Sequence, residues 1–337
     1  MALKLLMMGS DDFGVPTFRA ICESRHEVVG LVTQPDRSGR GHHRHRNPMK
    51  QWAVQKGLPV FQPEKINTED SIERLRAFGA DLFVVAAYGQ ILSPQVIGIP
   101  PLGVINVHAS ILPKYRGAAP VQYAILNGDT ETGVTIFQIQ PELDAGPILA
   151  VERTPIHAKE TAGELESRLA ELSAPLVLRV IDGLEAGTLQ ARPQDASQAT
   201  RAPRLKKKDG LIDWSQPAVQ IERHIRAMQP WPKAFTFLTR QGGQPMRLCL
   251  LEAEPVELAA VQAEIPSGRS DEEGKPQSQH HRRPGEVILA TRKRVVVQTG
   301  KEGLEILRIQ PEAKRVMRIE EFLCGHPLQP GDRFHSV

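Results

Sequence analysis

Asn106 and His108 stand one residue apart in an apolar run, Gly103-Val104-Ile105-Asn106-Val107-His108-Ala109-Ser110, and hold the chain's clearest potential for chemistry. Val104, Ile105 and Val107 favour a strand, in which alternate side chains share a face, so Asn106 and His108 point the same way. An asparagine amide donates hydrogen bonds to a developing oxyanion, and a histidine holds or transfers a proton near neutral pH. Neither is a nucleophile. A strand-end Asn and His satisfied by backbone groups is an equally open reading of these two residues alone. The balance shifts at Gln138-Ile139-Gln140-Pro141-Glu142-Leu143-Asp144-Ala145-Gly146-Pro147, which follows a second strand-like run, Val134 to Gln138. Asp144, beside Gly146 in a tight turn, carries a carboxylate able to reach back and orient His108.

The elements that must position these groups follow from the flanking sequence. Pro113 stops the strand, which should end near Ser110, and Arg116-Gly117-Ala118-Ala119-Pro120 turns into a helical run from Val121 to Asn127. Strand, loop, helix is where open α/β sheets put ligand chemistry. Upstream, Leu3 to Met8, a helix from about Val15 to Ser24 and a strand from His26 to Thr33 form a βαβ unit with parallel pairing as the default. Its turn, Gly9-Ser10-Asp11-Asp12-Phe13-Gly14, lacks the glycine spacing of a dinucleotide site, so no nicotinamide cofactor is expected. Ser71 to Phe78 reads as an amphipathic helix and Leu82 to Ala87 as a buried parallel strand. Glu160 to Leu184 reads as one long helix in which Pro175 predicts a kink or break.

A chain of 337 residues exceeds one ordinary compact core and suggests two domains. Residues 1–188 read as α/β with a Rossmann-like, mostly parallel open sheet. Residues 189–208 are polar and turn-rich and read as a linker, running into Lys206-Lys207-Lys208. Residues 209–337 hold five short β-like runs, Ala234 to Thr239, Met246 to Glu252, Gly285 to Ala290, Arg294 to Thr299 and Gly303 to Gln310, before a closing helix, Arg318 to Leu323. Such runs suggest a small barrel of the oligonucleotide-binding (OB-like) kind. Residues 255–284 interrupt them and read as a mobile surface insertion.

The net charge of +3 favours an anionic partner only where cations cluster. One cluster is Arg37-Ser38-Gly39-Arg40-Gly41-His42-His43-Arg44-His45-Arg46, readable as a solvated loop, a polyanion-binding loop or, with less support, a metal site. Cys22, Cys249 and Cys324 show neither disulfide nor metal spacing and fit a reducing cytoplasm. The apolar start, Met1 to Met8, is too short for a membrane span.

Asn106-x-His108, the Ser110 to Pro120 segment and the Leu143-Asp144-x-Gly146 turn together resemble the catalytic module of the 10-formyltetrahydrofolate-dependent formyltransferase family. The resemblance implies formyl transfer with 10-formyltetrahydrofolate as cosubstrate and Asn106, His108 and Asp144 as the catalytic set. It implies folate contacts from Tyr88, Gln90, Ile91, Leu92, Ser110, Leu112, Pro113, Leu143 and Gly146. That chemistry requires no metal or redox cofactor. Pro141-Glu142 stands where the family commonly has a small residue and Gly, which leaves the path of the Asp144 turn open.

The branch of the family that acts on methionyl-tRNA carries a Gly-Arg-Gly-basic insertion, a Pro-x-Lys and a Gly-Leu-Pro-Val-x-Gln-Pro segment. Gly39-Arg40-Gly41, Pro48-Met49-Lys50 and Gly57-Leu58-Pro59-Val60-Phe61-Gln62-Pro63 match them, with His42, His43 and His45 at places usually Lys or apolar. Resemblance and charge together imply initiator-tRNA contacts from Arg40, His42, His43, Arg44, Lys50, Lys206, Lys207 and Lys208, and the histidines imply a pH-dependent grip. A monomer in the cytoplasm is expected. A formyltransferase for nucleotide-linked small amines, a formyltetrahydrofolate hydrolase and a non-catalytic RNA-binding protein are the alternatives, and each leaves some feature unused.

Overall fold

The computed structural model describes residues 2–36, 47–239, 244–264 and 282–336, and it divides into two compact units. The first comprises Met1–Ala124, Asp129–Ala158 and Glu164–Arg204, and the second comprises Ile125–Gly128, Lys159–Gly163 and Leu205–Val337.

The first unit contains β1 (Lys4–Gly9), α1 (Val15–Cys22), β2 (Glu27–Val32), α2 (Pro48–Gln55), β3 (Val60–Phe61), α3 (Glu69–Ala77), β4 (Leu82–Ala86), α4 (Pro94–Ile97) and β5 (Val104–His108). There follow β6 (Arg116–Gly117), most of α5 (Pro120–Asn127), β7 (Glu131–Gln138), β8 (Ile148–Pro155), α6 (Ala162–Ala186) and β9 (Arg201–Ala202). Its main sheet has the order β3-β2-β1-β4-β5-β7-β8. The first five strands pair in parallel, and β7 and β8 extend the sheet antiparallel. Leu5 to Met8 and Leu82 to Ala86 are buried throughout, as continuous apolar runs in a parallel sheet covered on both faces must be. Strand order reverses between β1 and β4, which makes that point a crevice at the strands' carboxyl ends. Gly9 belongs to the packing there: a β-carbon on it would lie 2.5 Å from the Ala86 carbonyl oxygen and 2.6 Å from Met49 Sδ.

Two features of this unit refine the sequence reading: the long helix is unbroken, and the linker is shorter. Helix α6 continues through Pro175. The ring faces solvent while Leu165, Leu169, Leu176, Val177, Val180 and Ile181 are buried on both sides of it, so one apolar stripe holds a single helix across the missing N–H. Residues 189–204, read as most of a linker, belong to the first unit and are hydrogen-bonded into it.

The second unit contains α7 (Ala218–Ala227), β10 (Ala234–Thr239), β11 (Met246–Val256), α8 (Leu258–Glu264), β12 (Val287–Ala290), β13 (Val295–Gln298), β14 (Gly303–Pro311), β15 (Met317–Arg318), α9 (Ile319–Gly325) and β16 (Arg333–His335). Its antiparallel sheet has the order β12-β13-β14-β11-β10-β16, with β15 on β14. The Val287 amide donates to the Asp332 carbonyl at 2.8 Å and the Phe334 amide to that of Gly285 at 2.7 Å. These bonds join the two ends into a nearly closed barrel and cover part of both edges. The insertion reading needs correction at its start: β11 runs on to Val256, and α8 buries Val261 against Ile288, Leu289 and Val296. Residues 265–281 lie outside the described residues.

Candidate active site

Strand β5 ends on His108, and the chain then folds over it. His108 is 5% exposed, and its Nε2 lies 2.9 Å from the Tyr115 carbonyl oxygen. A carbonyl only accepts, so Nε2 carries the proton and a neutral ring leaves Nδ1 with its lone pair. Nδ1 faces Asp144 Oδ2 at 4.0 Å, beyond a direct hydrogen bond. Burial pushes the imidazole pKa below its ordinary 6.5, against the opposing pull of the Asp144 carboxylate and the Tyr115 carbonyl. The ring is therefore neutral at neutral pH and able to take a proton at Nδ1. Asn106, on the same face and half-buried, has no side-chain hydrogen bond to any described residue, so its amide is free to donate.

The Asp144 turn survives the Pro141-Glu142 departure. Asp144 adopts φ +50, a left-handed conformation that Asp tolerates better than most residues. Its Oδ2 accepts from the Gly117 amide at 2.8 Å. Gly146 is obligatory, because a β-carbon there would lie 1.7 Å from the Gln138 carbonyl oxygen. Glu142 contacts Arg116 from outside at 3.4 Å.

The residues expected to touch folate fall into two groups. Ile91 and Leu143 are 76% and 58% exposed, apolar side chains offered to solvent at the end of the β4 loop and beside Asp144. Tyr88, Leu92 and Leu112 are buried in the core. Gln90 accepts from the Ile66 amide at 2.9 Å and donates to the Pro63 carbonyl at 3.3 Å. Ser110 is fully buried and donates to the Lys114 carbonyl at 2.7 Å. Pro113 is half-buried and Gly146 buried. The loop after β4 is anchored by residues that no motif marked. Gln34 Nε2 donates to the Tyr88 carbonyl at 3.0 Å, and Ser10 Oγ accepts from the Gln34 amide at 3.0 Å.

A larger omission is the segment 189–204. Arg192 and Ile148 exchange two backbone hydrogen bonds, at 2.7 and 2.8 Å. Thr200 Oγ1 accepts from the Tyr115 amide at 2.8 Å and its carbonyl from Arg116 at 2.8 Å, and β9 pairs with β6. A strap of polar residues thus holds the loop whose Tyr115 carbonyl fixes His108.

Among the tRNA-directed residues, Arg40, His42, His43 and Arg44 lie outside the described residues. Lys50 is ion-paired with Asp36 in the first unit. Lys206, Lys207 and Lys208, in the second, are exposed and have no ion pair among the described residues. Two other barrel cations are ion-paired: Arg294 is clamped by Glu305 at 2.7 Å and Glu264 at 2.5 Å, and Arg315 meets Glu321 at 2.7 Å.

A buried imidazole, a carboxylate 4.0 Å from it and a half-buried asparagine thus lie together at the end of β5. The family model described as formyl transferase matches residues 3–181, and that for the formyl transferase C-terminal domain matches residues 204–327. The chain belongs to the formyl transferase family. A methionyl-tRNA formyltransferase from Desulfotalea psychrophila is 43% identical over 325 residues, 96% of this chain and 93% of the relative. One from Solibacter usitatus is 41% identical over 332 residues, 98% of each. Among solved structures, HypX from Aquifex aeolicus aligns with a TM-score of 0.61 at 17% identity over 98% of this chain, which spans 49% of HypX. An N-formyltransferase from Helicobacter canadensis aligns at 0.59 and 15% identity over 92% of this chain and 100% of that one. At such identities these two share the fold alone. Among the described residues, no helix is long and apolar enough to cross a membrane.

Proposed function

We propose that this enzyme transfers the formyl group of 10-formyltetrahydrofolate to the α-amine of methionyl-initiator-tRNA. The observation that carries the reading is sequence identity of about two residues in five with methionyl-tRNA formyltransferases across nearly the whole chain, both units included. The site supplies a matching chemistry. The amine attacks the formyl carbon, forming a carbon–nitrogen bond and placing negative charge on the formyl oxygen, which the Asn106 amide stabilises by donation. The amine proton passes to His108 Nδ1, directly or through a water held by Asp144. The imidazolium so formed is stabilised by the Asp144 carboxylate and the Tyr115 carbonyl. Return of that proton to the donor nitrogen breaks the old carbon–nitrogen bond and releases tetrahydrofolate, leaving His108 neutral for the next turnover.

Exposed Ile91 and Leu143 suit the flat apolar body of the folate, with Tyr88, Gln90, Leu92, Ser110, Leu112, Pro113 and Gly146 shaping the backbone that lines it. Lys206 to Lys208 and the Arg40 to Arg44 loop suit the phosphates of tRNA. The enzyme acts as a cytoplasmic monomer, since the reaction as drawn asks nothing of a second copy.

The test is formyl transfer from 10-formyltetrahydrofolate to methionyl-initiator-tRNA, methionyl-elongator-tRNA, uncharged tRNA and buffer alone. Formylation confined to the initiator is expected. Formate release in buffer alone identifies a hydrolase, and inactivity on all four redirects the site to a nucleotide-linked amine.

A further inference from the structure

Gln194 lies in the strap that composition reads as linker, and its half-buried side chain makes four hydrogen bonds. Nε2 donates to the carbonyl oxygens of Asp144 and Gly146, both at 2.8 Å. Oε1 accepts from Arg116 Nε at 3.1 Å and Arg116 Nη2 at 2.9 Å. A primary amide has two N–H donors and two lone pairs, so every valence of Gln194 is used. Its orientation is fixed as well, because a flipped amide would set its oxygen against two carbonyls and its hydrogens against a guanidinium.

We infer that Gln194 is a positioning residue for formyl transfer, setting the Asp144 carboxylate against His108; the inference rests on the function proposed above. The geometry is a closed loop of contacts. Adjacent residues Arg116 and Gly117 reach the same turn from opposite ends, Gly117 through its amide to Asp144 Oδ2 and Arg116 through Gln194 to the Asp144 and Gly146 carbonyls. Tyr115, next in line, supplies the carbonyl that fixes His108. The strained φ of Asp144 therefore depends on a donor at its own carbonyl, and that donor comes from residue 194. Without it, one amide at Gly117 is left holding the carboxylate, which is free to swing about the remaining bond. Gln194 touches none of the reacting atoms.

The decisive variant is Gln194→Glu. It keeps the volume and the Arg116 acceptor, now as an ion pair, but loses both donors and turns a carboxylate toward two carbonyls. The kcat for methionyl-initiator-tRNA is expected to fall about 10- to 100-fold, the range for losing a supporting shell around a reactive group, while the tRNA KM moves less than about twofold. The split between kcat and KM separates positioning from anchoring, because loosening of the strap as a whole would lower the folded fraction and leave kcat per folded enzyme unchanged. Unchanged kcat overturns the inference, as does a kcat that falls only with the folded fraction. Where Gln194→Glu does not fold, Arg116→Met keeps both donors but unlocks the amide. A kcat reduced about 3- to 10-fold at constant KM is then expected, and unchanged kcat overturns the inference. An inactive parent enzyme would instead overturn the proposed function.

Discussion

The Asp144 turn and the Lys206 to Lys208 turn solve opposite problems. At the first, a backbone at φ +50, an obligatory glycine and hydrogen bonds from residues 117 and 194 hold a single carboxylate 4.0 Å from a buried imidazole. At the second, the backbone is equally fixed: Asp209 Oδ2 accepts from the Lys206 amide at 2.6 Å, and a β-carbon on Gly210 would lie 2.2 Å from the Lys233 carbonyl oxygen. Yet the three ammonium groups are left in water. Proton transfer falls off within an ångström, so chemistry demands that side chains be fixed. Attraction to phosphate acts over a Debye length of about 8–10 Å, so charge need only be delivered to the right surface.

The largest expected effect breaks the first region. Asn106→Ala, His108→Ala and Asp144→Ala should each lower kcat for formyl transfer by about 10²–10³ while leaving tRNA affinity within about threefold, measured by steady-state kinetics beside filter binding. Near-normal turnover in all three would remove the assignment. The second region should respond in the opposite sense. Lys206→Ala, Lys207→Ala and Lys208→Ala combined should weaken tRNA binding about 10-fold or more near 0.1 M salt and flatten the plot of log affinity against log salt, with kcat at saturation retained. A salt slope equal to the parent's would show that these cations meet no phosphate.

Smaller effects sharpen the contrast. Burial depresses the His108 pKa, so the folded protein favours the neutral ring; that contribution is complete above about pH 6.5 and is lost as pH falls below it. The ring nitrogen NMR signals of His108 should accordingly stay neutral-like through pH 6.5. A midpoint above that value would contradict the burial argument. Glu166 on α6 shows the same physics for an acid, its pKa pushed up to about 7 by burial first and then by Asp11 and Asp12. Here the stabilising contribution of the protonated form is complete below about pH 4.5 and is lost as pH rises through about 7. Glu166→Gln should thus leave the melting temperature near the parent's at pH 4.5 and raise it by a few degrees at pH 8. Equal shifts at both pH values would place the effect elsewhere.

Much of this molecule was legible before folding was considered. Strand alternation alone placed Asn106 and His108 on one side, and β10 spans Ala234–Thr239 as its apolar run requires. The second strand-like run is a true neighbour of β5, since β7 pairs with it antiparallel. Less legible was anything resting on a partner far along the chain. The linker-like composition of 189–204 reflects a segment that, outside its local Asp195 to Ala199 turn, bonds to residues 113–119 and 144–148, and polar residues satisfied at long range look the same in sequence as residues satisfied by water. The unbroken path of α6 at Pro175 and the start of α8 were illegible for a related reason, because a buried stripe on α6 and a buried Val261 on α8 are decided by what they pack against.

The sequence by itself determined which groups are available for chemistry and that they sit on a strand, because side-chain alternation and local propensity act within a few residues. Only the tertiary structure decided the imidazole's tautomer, its depressed pKa, and the hold of Gln194 on Asp144. Each depends on a carbonyl, a carboxylate or an amide brought close by the chain's return, at sequence separations of 7, 36 and 50 residues, where no periodicity reaches.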